Sequence, residues 1–243
     1  MTRFLIPSES SAGETRVAAS PETVKKFLSL GCSISIESGA GIKAGFSDEA
    51  FSGSGAEIIK QGDLETWKNA DCLLCVQTPN KNSLLKLKEG AFIFGLLAPY
   101  GNNLLATSLE AKKLSAISLE LLPRISRAQS ADALSSQANI AGYKSVLIAA
   151  QSLDRYFPML MTAAGTVQPA KVIVLGAGVA GLQAVATARR LGAVVFVSDI
   201  RPAVKEQVES LGARFIEPPN IEEQPLEKGG YANQASESFL AAQ

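Results

Sequence analysis

The 243-residue chain contains no histidine. Without imidazole there is no Ser-His-Asp or Cys-His relay and no histidine-ligated metal. The same absence removes the acid/base group with which NAD dehydrogenases usually oxidise alcohols or amino acids. Cysteine is nearly as scarce, and three residues give no even disulfide framework and point to a reducing setting. Cys72 and Cys75 form a C-x-x-C, but the run ADCLLCVQ has no second pair and reads as a buried strand rather than a redox or metal motif. Charge of one sign is missing too. Lys+Arg and Asp+Glu both number 23, which leaves no electrostatic footprint for nucleic acid or an anionic membrane surface. Apolar runs break well short of the roughly 18 residues that a membrane span needs. Met1-Thr2-Arg3 leads straight into a short strand, so neither direct membrane insertion nor a signal peptide is expected.

The remaining composition, 47% apolar and 19% charged, is ordinary for an α/β protein. Its most informative stretch is KVIVLGAGVAGLQAVATARRLGAVVFVSD, Lys171 to Asp199. Lys171 to Leu175 is a β-branched apolar run, as expected for a strand buried on both faces of a parallel sheet. Gly176, Gly178 and Gly181 follow as G-x-G-x-x-G where a helix must begin, with Val179 in its first turn. The first glycine allows the tight turn, the second admits a pyrophosphate to the backbone, and the third lets helix and strand pack closely. Helix N-terminal amides then bind phosphate without a basic side chain. Ala193 to Ser198 reads as the second strand, closed by Asp199. A carboxylate there accepts hydrogen bonds from an adenosine ribose diol and repels a 2′-phosphate, favouring NAD(H) over NADP(H). Ile200 and Arg201 come next, and Arg201 reads as flanking the adenine.

Upstream, strands alternate with helices. Strands are expected over 3–7, 32–37, 56–59, 72–77, 91–97 and 116–122, and helices over 21–30, from Ser47, and over 64–69, 83–87 and 103–114. The glycine loop Gly39 to Gly45 lacks phosphate-cradle spacing and reads as a flexible connection. Arg124 to Asp132, RISRAQSAD, is a polar loop between a buried strand and a helix expected from about Ser135 to Tyr156; such loops bind ligands in open α/β sheets. Residues 159–164 read as a short helical piece and 165–170 as a linker. The fold class is α/β, with two Rossmann-like doubly wound parallel sheets: an N-terminal domain over 1–134, a bridging helix and linker over 135–164, and a nucleotide domain over 165–243. Only three strands are visible after residue 165 where five or six are expected, so the second domain reads as truncated, or as completed by a partner. NADH binding by the chain alone is accordingly expected to be weak or absent. Residues 218–234 lack periodicity and read as a lid or a disordered loop.

These motifs together resemble the NAD(H)-binding domain I, the alpha subunit, of proton-translocating NAD(P)+ transhydrogenases, over essentially the whole chain. Pro7, Glu9, Glu14, Arg16, Val17, Ala18 and Pro21 match an N-terminal motif that is shared with alanine dehydrogenases. PRISRAQSADALSSQANIAGY, Pro123 to Tyr143, is similar to the transhydrogenase Arg-Gln-Asp loop, with Arg124, Gln129 and Asp132 in the named positions and Ser135 following. Gly229 to Ala232, GGYA, resembles the tip of the family's mobile loop. Alanine dehydrogenases carry a histidine on the segment matching FIFGLLA, Phe92 to Ala98, and this chain has none.

The resemblance implies direct hydride passage from NADH to NADP+ held on a partner domain, with no general base. Arg124 and Asp132 would hold the nicotinamide end, Gln129 would reach toward NADP(H), and Ser135 would complete the catalytic set. Ile125, Ser126 and Arg127 would join them around the cofactor. Gly230 and Tyr231 would close over NAD(H), and Gln243 would contact it. The implied partners are an NADP(H)-binding domain, a membrane subunit and a second copy in a homodimer, with a cytoplasmic position peripheral to an inner or thylakoid-type membrane. Two other readings stay open: an alanine-dehydrogenase-like oxidoreductase, and a non-catalytic truncated NAD-binding fragment.

Overall fold

The computed structural model describes residues 1–123 and 125–217. The chain divides into two compact units, the first ending at Leu122 and the second beginning at Pro123.

The first unit runs β1 (Arg3–Ile6), α1 (Pro21–Ser29), β2 (Ser33–Glu37), α2 (Asp48–Gly53), β3 (Glu57–Ile59), α3 (Leu64–Asn69), β4 (Cys72–Gln77), α4 (Lys81–Leu84), β5 (Phe92–Leu96), α5 (Asn103–Lys112) and β6 (Ser115–Ser118). All strand pairs are parallel and the order is β3-β2-β1-β4-β5-β6, a doubly wound arrangement whose direction reverses between β1 and β4. Successive strand residues point to opposite faces. Leu5 therefore joins Leu73, Ile93 and Trp67 in one core, while its neighbour Ile6 joins Ile34, Ile36 and Phe51 in another. Each helix starts where a short polar side chain accepts a backbone N–H: Ser20 from Thr23, Ser47 from Ala50, Asp63 from Thr66, Asn80 from Ser83 and Asn102 from Leu105.

The second unit contains α6 (Ala133–Ser152), β7 (Leu160–Thr162), β8 (Gly165–Val167), β9 (Lys171–Leu175), α7 (Val179–Arg190), β10 (Val194–Ser198), α8 (Lys205–Ser210) and β11 (Arg214–Ile216). Its parallel sheet has the order β11-β10-β9 among the described residues. Val185, Val195, Val197 and Val208 are fully or almost fully buried between sheet and helices.

Several expectations are corrected. The stretch 159–164 is not helical: β7 and β8 form an antiparallel hairpin that also takes up part of the expected linker. Thr162 fixes its turn by accepting from Ala164 N–H and donating to the Gly165 carbonyl, both at 3.2 Å, and Gly165 sits at φ +137. The strand expected over 116–122 stops at Ser118 and becomes a 3-10 turn, Leu119–Leu121. Glu120 turns back there to accept from Leu97 N–H at 3.2 Å and Ala98 N–H at 2.6 Å. The helix expected over 83–87 starts earlier because Asn80 caps it. α6 likewise starts at Ala133 rather than Ser135 and ends at Ser152, well before Tyr156. Gly39 to Gly45 is a packed turn rather than a flexible connection. A Cβ on Gly41 would stand 2.4 Å from the Phe51 ring and 2.8 Å from the Phe46 carbonyl. Finally, β9 is not buried on both faces: Ile173 is 63% and Leu175 79% exposed, because β9 lies at the margin of the described sheet.

Candidate functional site

The second unit builds the glycine turn as its sequence pattern implies. β9 ends at Leu175 and Gly176 turns the chain at φ +91, a conformation that side chains with a Cβ rarely adopt. Its N–H bonds to the Ser198 carbonyl at 2.8 Å, tying the turn to the end of β10. Gly178 is the N-cap of α7, and no side chain caps that helix. Among the described residues, an added Cβ on Gly178 would meet nothing within 4 Å, so they leave the backbone at the helix start open. At Gly181 the opposite holds, since a Cβ would stand 1.8 Å from the Gly176 carbonyl oxygen. Uncapped helix amides facing an open approach are a fit for a diphosphate, whose oxygens would accept from them and whose charge the helix dipole favours.

Asp199 follows β10 and is buried at 6% exposure. Its Oδ2 accepts from Ala177 N–H at 2.6 Å and Arg201 Nη2 at 2.9 Å. Its Oδ1 accepts from Arg201 N–H at 2.8 Å and Arg201 Nε at 2.9 Å. Burial alone would raise its pKa, but the guanidinium and the two backbone donors outweigh that and hold it below the ordinary carboxylate range. Arg201 is thus folded onto Asp199. Val179 is exposed in the first turn of α7, and Ile200 is half-buried between the two paired residues.

The Arg-Gln-Asp segment lies in the same unit. Residues Ser126–Ala131 form a 3-10 turn where the sequence suggested a plain loop. On it, Ser126, Arg127 and Gln129 are exposed, with Ile125 just before it 55% exposed. Asp132 caps α6, its Oδ1 accepting from Ser135 N–H at 2.9 Å and its Oδ2 from Ser135 Oγ at 2.6 Å. The structure therefore brings Asp132 and Ser135 together. Farther along, α6 packs on α7: Asn139 donates to Gln183 at 3.1 Å, and a Cβ on Gly142 would stand 2.0 Å from the Ala180 carbonyl oxygen. That packing joins the helix behind the loop to the first turns of the helix behind the glycine turn. Arg124, Gly230, Tyr231 and Gln243 lie outside the described residues.

The first unit has polar chemistry of its own at the point where its strand order reverses. Glu9 accepts from Val76 N–H at 2.6 Å and Gln77 N–H at 3.2 Å, binding the loop after β1 to the end of β4. Glu14 receives Arg16 Nε at 2.8 Å, Arg16 Nη2 at 2.7 Å and Gln77 Nε2 at 2.6 Å. The N-terminal motif acids are thus engaged inside the fold. Glu37 is a buried acceptor that strand alternation did not reveal. It takes N–H groups from Ser8, Gly62 and the Trp67 indole at 2.7–2.9 Å. Cys72 and Cys75 are free thiols, and burial pushes Cys75 up to about 12, far from a reactive thiolate. Among the described residues, no group of three or more Cys, Asp or Glu could hold a metal ion, and no helix is long and apolar enough to cross a membrane.

Comparison with known proteins places this geometry in a family. Residues 5–141 match the alanine dehydrogenase/PNT N-terminal domain and residues 145–238 its C-terminal domain. The chain is 46% identical over 250 aligned residues to an NAD(P) transhydrogenase subunit alpha chain of Rhodospirillum rubrum, covering 99% of this chain and 64% of that protein. It is 31% identical to an alanine dehydrogenase of Methanococcus maripaludis, over 80% of this chain and 52% of that protein. In structure it superimposes on a transhydrogenase from Sinorhizobium meliloti with a TM-score of 0.84 and 48% identity, covering 88% of this chain and 64% of the other. The chain spans just under two thirds of the length of these transhydrogenase relatives. By both domain matches and by the fold that carries them, the chain belongs to the alanine dehydrogenase/PNT family.

Proposed function

We propose that the chain is the NAD(H)-binding, hydride-donating component of a proton-translocating NAD(P)+ transhydrogenase. The observation that carries this reading is the pairing of an open glycine turn and a buried Asp199 with a chain that has no histidine. Bound NADH supplies a hydride at its nicotinamide ring. Direct transfer of that hydride to NADP+ moves no substrate proton, so the protein contributes position and electrostatics rather than a general base.

In this reading the uncapped amides at the start of α7 hold the diphosphate and Asp199 receives the adenosine ribose. Asp132, fixed by Ser135, sets the end of the 3-10 turn, from which the exposed Gln129 reaches toward NADP(H) on a partner domain. In the same reading Arg124 would hold the nicotinamide end, Gly230 and Tyr231 would close over NAD(H), and Gln243 would contact it. Partners are an NADP(H)-binding domain, a membrane subunit and a second copy of the chain, which gives a cytoplasmic, membrane-peripheral location. Greater similarity to transhydrogenase than to alanine dehydrogenase relatives supports the choice between the family's two chemistries.

The test is reduction of an NADP+ analogue by NADH when the chain is mixed with its NADP(H)-binding and membrane partners. Gln129→Asn should slow the transfer step while leaving NADH binding unchanged. NADH oxidation by the chain that depends on pyruvate and ammonia would instead assign it to amino-acid chemistry.

A further inference from the structure

The Asp199 carboxylate is saturated. A carboxylate offers about four lone-pair positions. Here each oxygen accepts two N–H groups, four donors in all, at 2.6–2.9 Å. Two of these donors are backbone amides, of Ala177 and Arg201, placed by the glycine turn and by the chain leaving β10. The other two are Nε and Nη2 of the Arg201 side chain, which can rotate away. The side chains are 5% exposed for Asp199 and 23% for Arg201, so the guanidinium is the more accessible partner. A ribose diol has two O–H donors to place on Asp199, and no acceptor position is vacant for them.

We infer that the Asp199–Arg201 pair is a lock on the adenosine ribose subsite: the diol binds by displacing the guanidinium, and the displaced guanidinium sets the tolerance for a 2′-phosphate. The inference rests on reading residues 171–201 as an adenosine nucleotide site, as proposed above. The forked guanidinium fits the carboxylate in a way a lysine ammonium does not, so Arg201 opposes diol binding through this pair. Once turned outward, Arg201 carries its positive charge to where a 2′-phosphate would stand, offsetting the repulsion from Asp199. Arg201 is therefore a specificity-determining residue. It makes the site weaker for NAD(H) and more permissive toward 2′-phosphorylated nucleotide than Asp199 would by itself.

The test uses three probes on the whole chain by calorimetry: ADP, 2′,3′-dideoxy-ADP, and adenosine 2′,5′-bisphosphate. Arg201→Gln should bind ADP about two- to fivefold more tightly, the range expected for releasing a partly exposed ion pair. It should bind dideoxy-ADP as the wild type does, because no diol needs the carboxylate, and it should lose affinity for the bisphosphate. Arg201→Lys should fall between the two. In the wild type, the Arg201 Nε–H resonance should lose its protection from solvent exchange on ADP addition but keep it with dideoxy-ADP. This readout needs no variant and is insensitive to any folding defect. Equal or weaker ADP binding by Arg201→Gln, or a gain that extends to the dideoxy probe, would overturn the lock and leave the nucleotide site standing. Failure of the wild type to bind ADP at millimolar concentration would overturn the nucleotide reading, and the lock with it.

Discussion

Alanine at Gly178 and alanine at Gly181 should fail in opposite ways. Gly178 has φ −79 and ψ −171, which any residue adopts, and an added Cβ there meets nothing within 4 Å among the described residues. Stability should therefore fall only by the cost of alanine at the helix N-cap, about 1 kcal/mol or less. The new methyl would nevertheless occupy the open approach to the α7 amides, holding a diphosphate off the backbone. A loss of about 1–3 kcal/mol in ADP binding follows, roughly five- to 150-fold in affinity.

Gly181 presents the reverse case. Its Cβ would lie 1.8 Å from the Gly176 carbonyl oxygen and 2.9 Å from the carbonyl carbon, both backbone atoms. An ordinary C···O contact is about 3.3 Å, so the turn must open by about 1.5 Å. Gly176 cannot yield cheaply, since it sits at φ +91 with its N–H bonded to Ser198. Overpacking against backbone costs about 3 kcal/mol, and the better helix propensity of alanine returns about 1 kcal/mol. The net loss of about 2 kcal/mol corresponds to a fall in Tm on the order of 10 °C for a unit of this size. Melting followed by circular dichroism, hydrogen exchange in α7 and an ADP titration separate the two effects. Wild-type ADP affinity in Gly178→Ala, or a wild-type melt in Gly181→Ala, would refute this reasoning.

Gly142→Ala should destabilise the second unit by about 1–3 kcal/mol, because its Cβ would stand 2.0 Å from the Ala180 carbonyl and force α6 away from α7. Loss of exchange protection in both helices checks it. Acid should weaken the first unit through Glu14. The Arg16 side chain, working against burial and helped by backbone and Gln77 donors, holds that carboxyl at about 2. The stabilisation is complete at neutral pH and disappears as pH falls from the ordinary carboxylate range to about 2; with Arg16 partly exposed it is worth about 1–2 kcal/mol. Glu9 works with the opposite sign. Burial raises its pKa, so its contribution is present in acid and lost as pH rises through its folded value. Urea titrations across the acid range should show Glu14→Gln flattening the acid limb of stability.

Much of the nucleotide site was legible because it depends on backbone. A β-branched run, glycines at fixed spacing and a second apolar run leave few alternatives, and β9, α7 and β10 lie where the pattern places them. The hairpin at 160–167 escaped because Met159 to Ala164 has helix-favouring composition, while its turn depends on Thr162 and on the positive φ of Gly165. β6 ended early through the contact of Glu120 with Leu97 and Ala98, which is local in space but more than 20 residues distant in sequence. The contact Arg201 makes was hidden for a different reason. The residue's place two positions after Asp199 was visible, but the folding of its guanidinium back onto that carboxylate depends on side-chain torsions that no spacing encodes. The exposed Ile173 and Leu175 show the same limit: an apolar run announces a strand but not which of its faces the surrounding chain covers.

Direct hydride donation is tested most simply with NADH deuterated at the transferred C4 position. The chain is combined with its NADP(H)-binding and membrane partners, and the products are examined by mass spectrometry. All of the transferred label should appear in NADPH and none in water. Label washed into solvent, or transfer that proceeds only with pyruvate and ammonia present, would contradict direct donation.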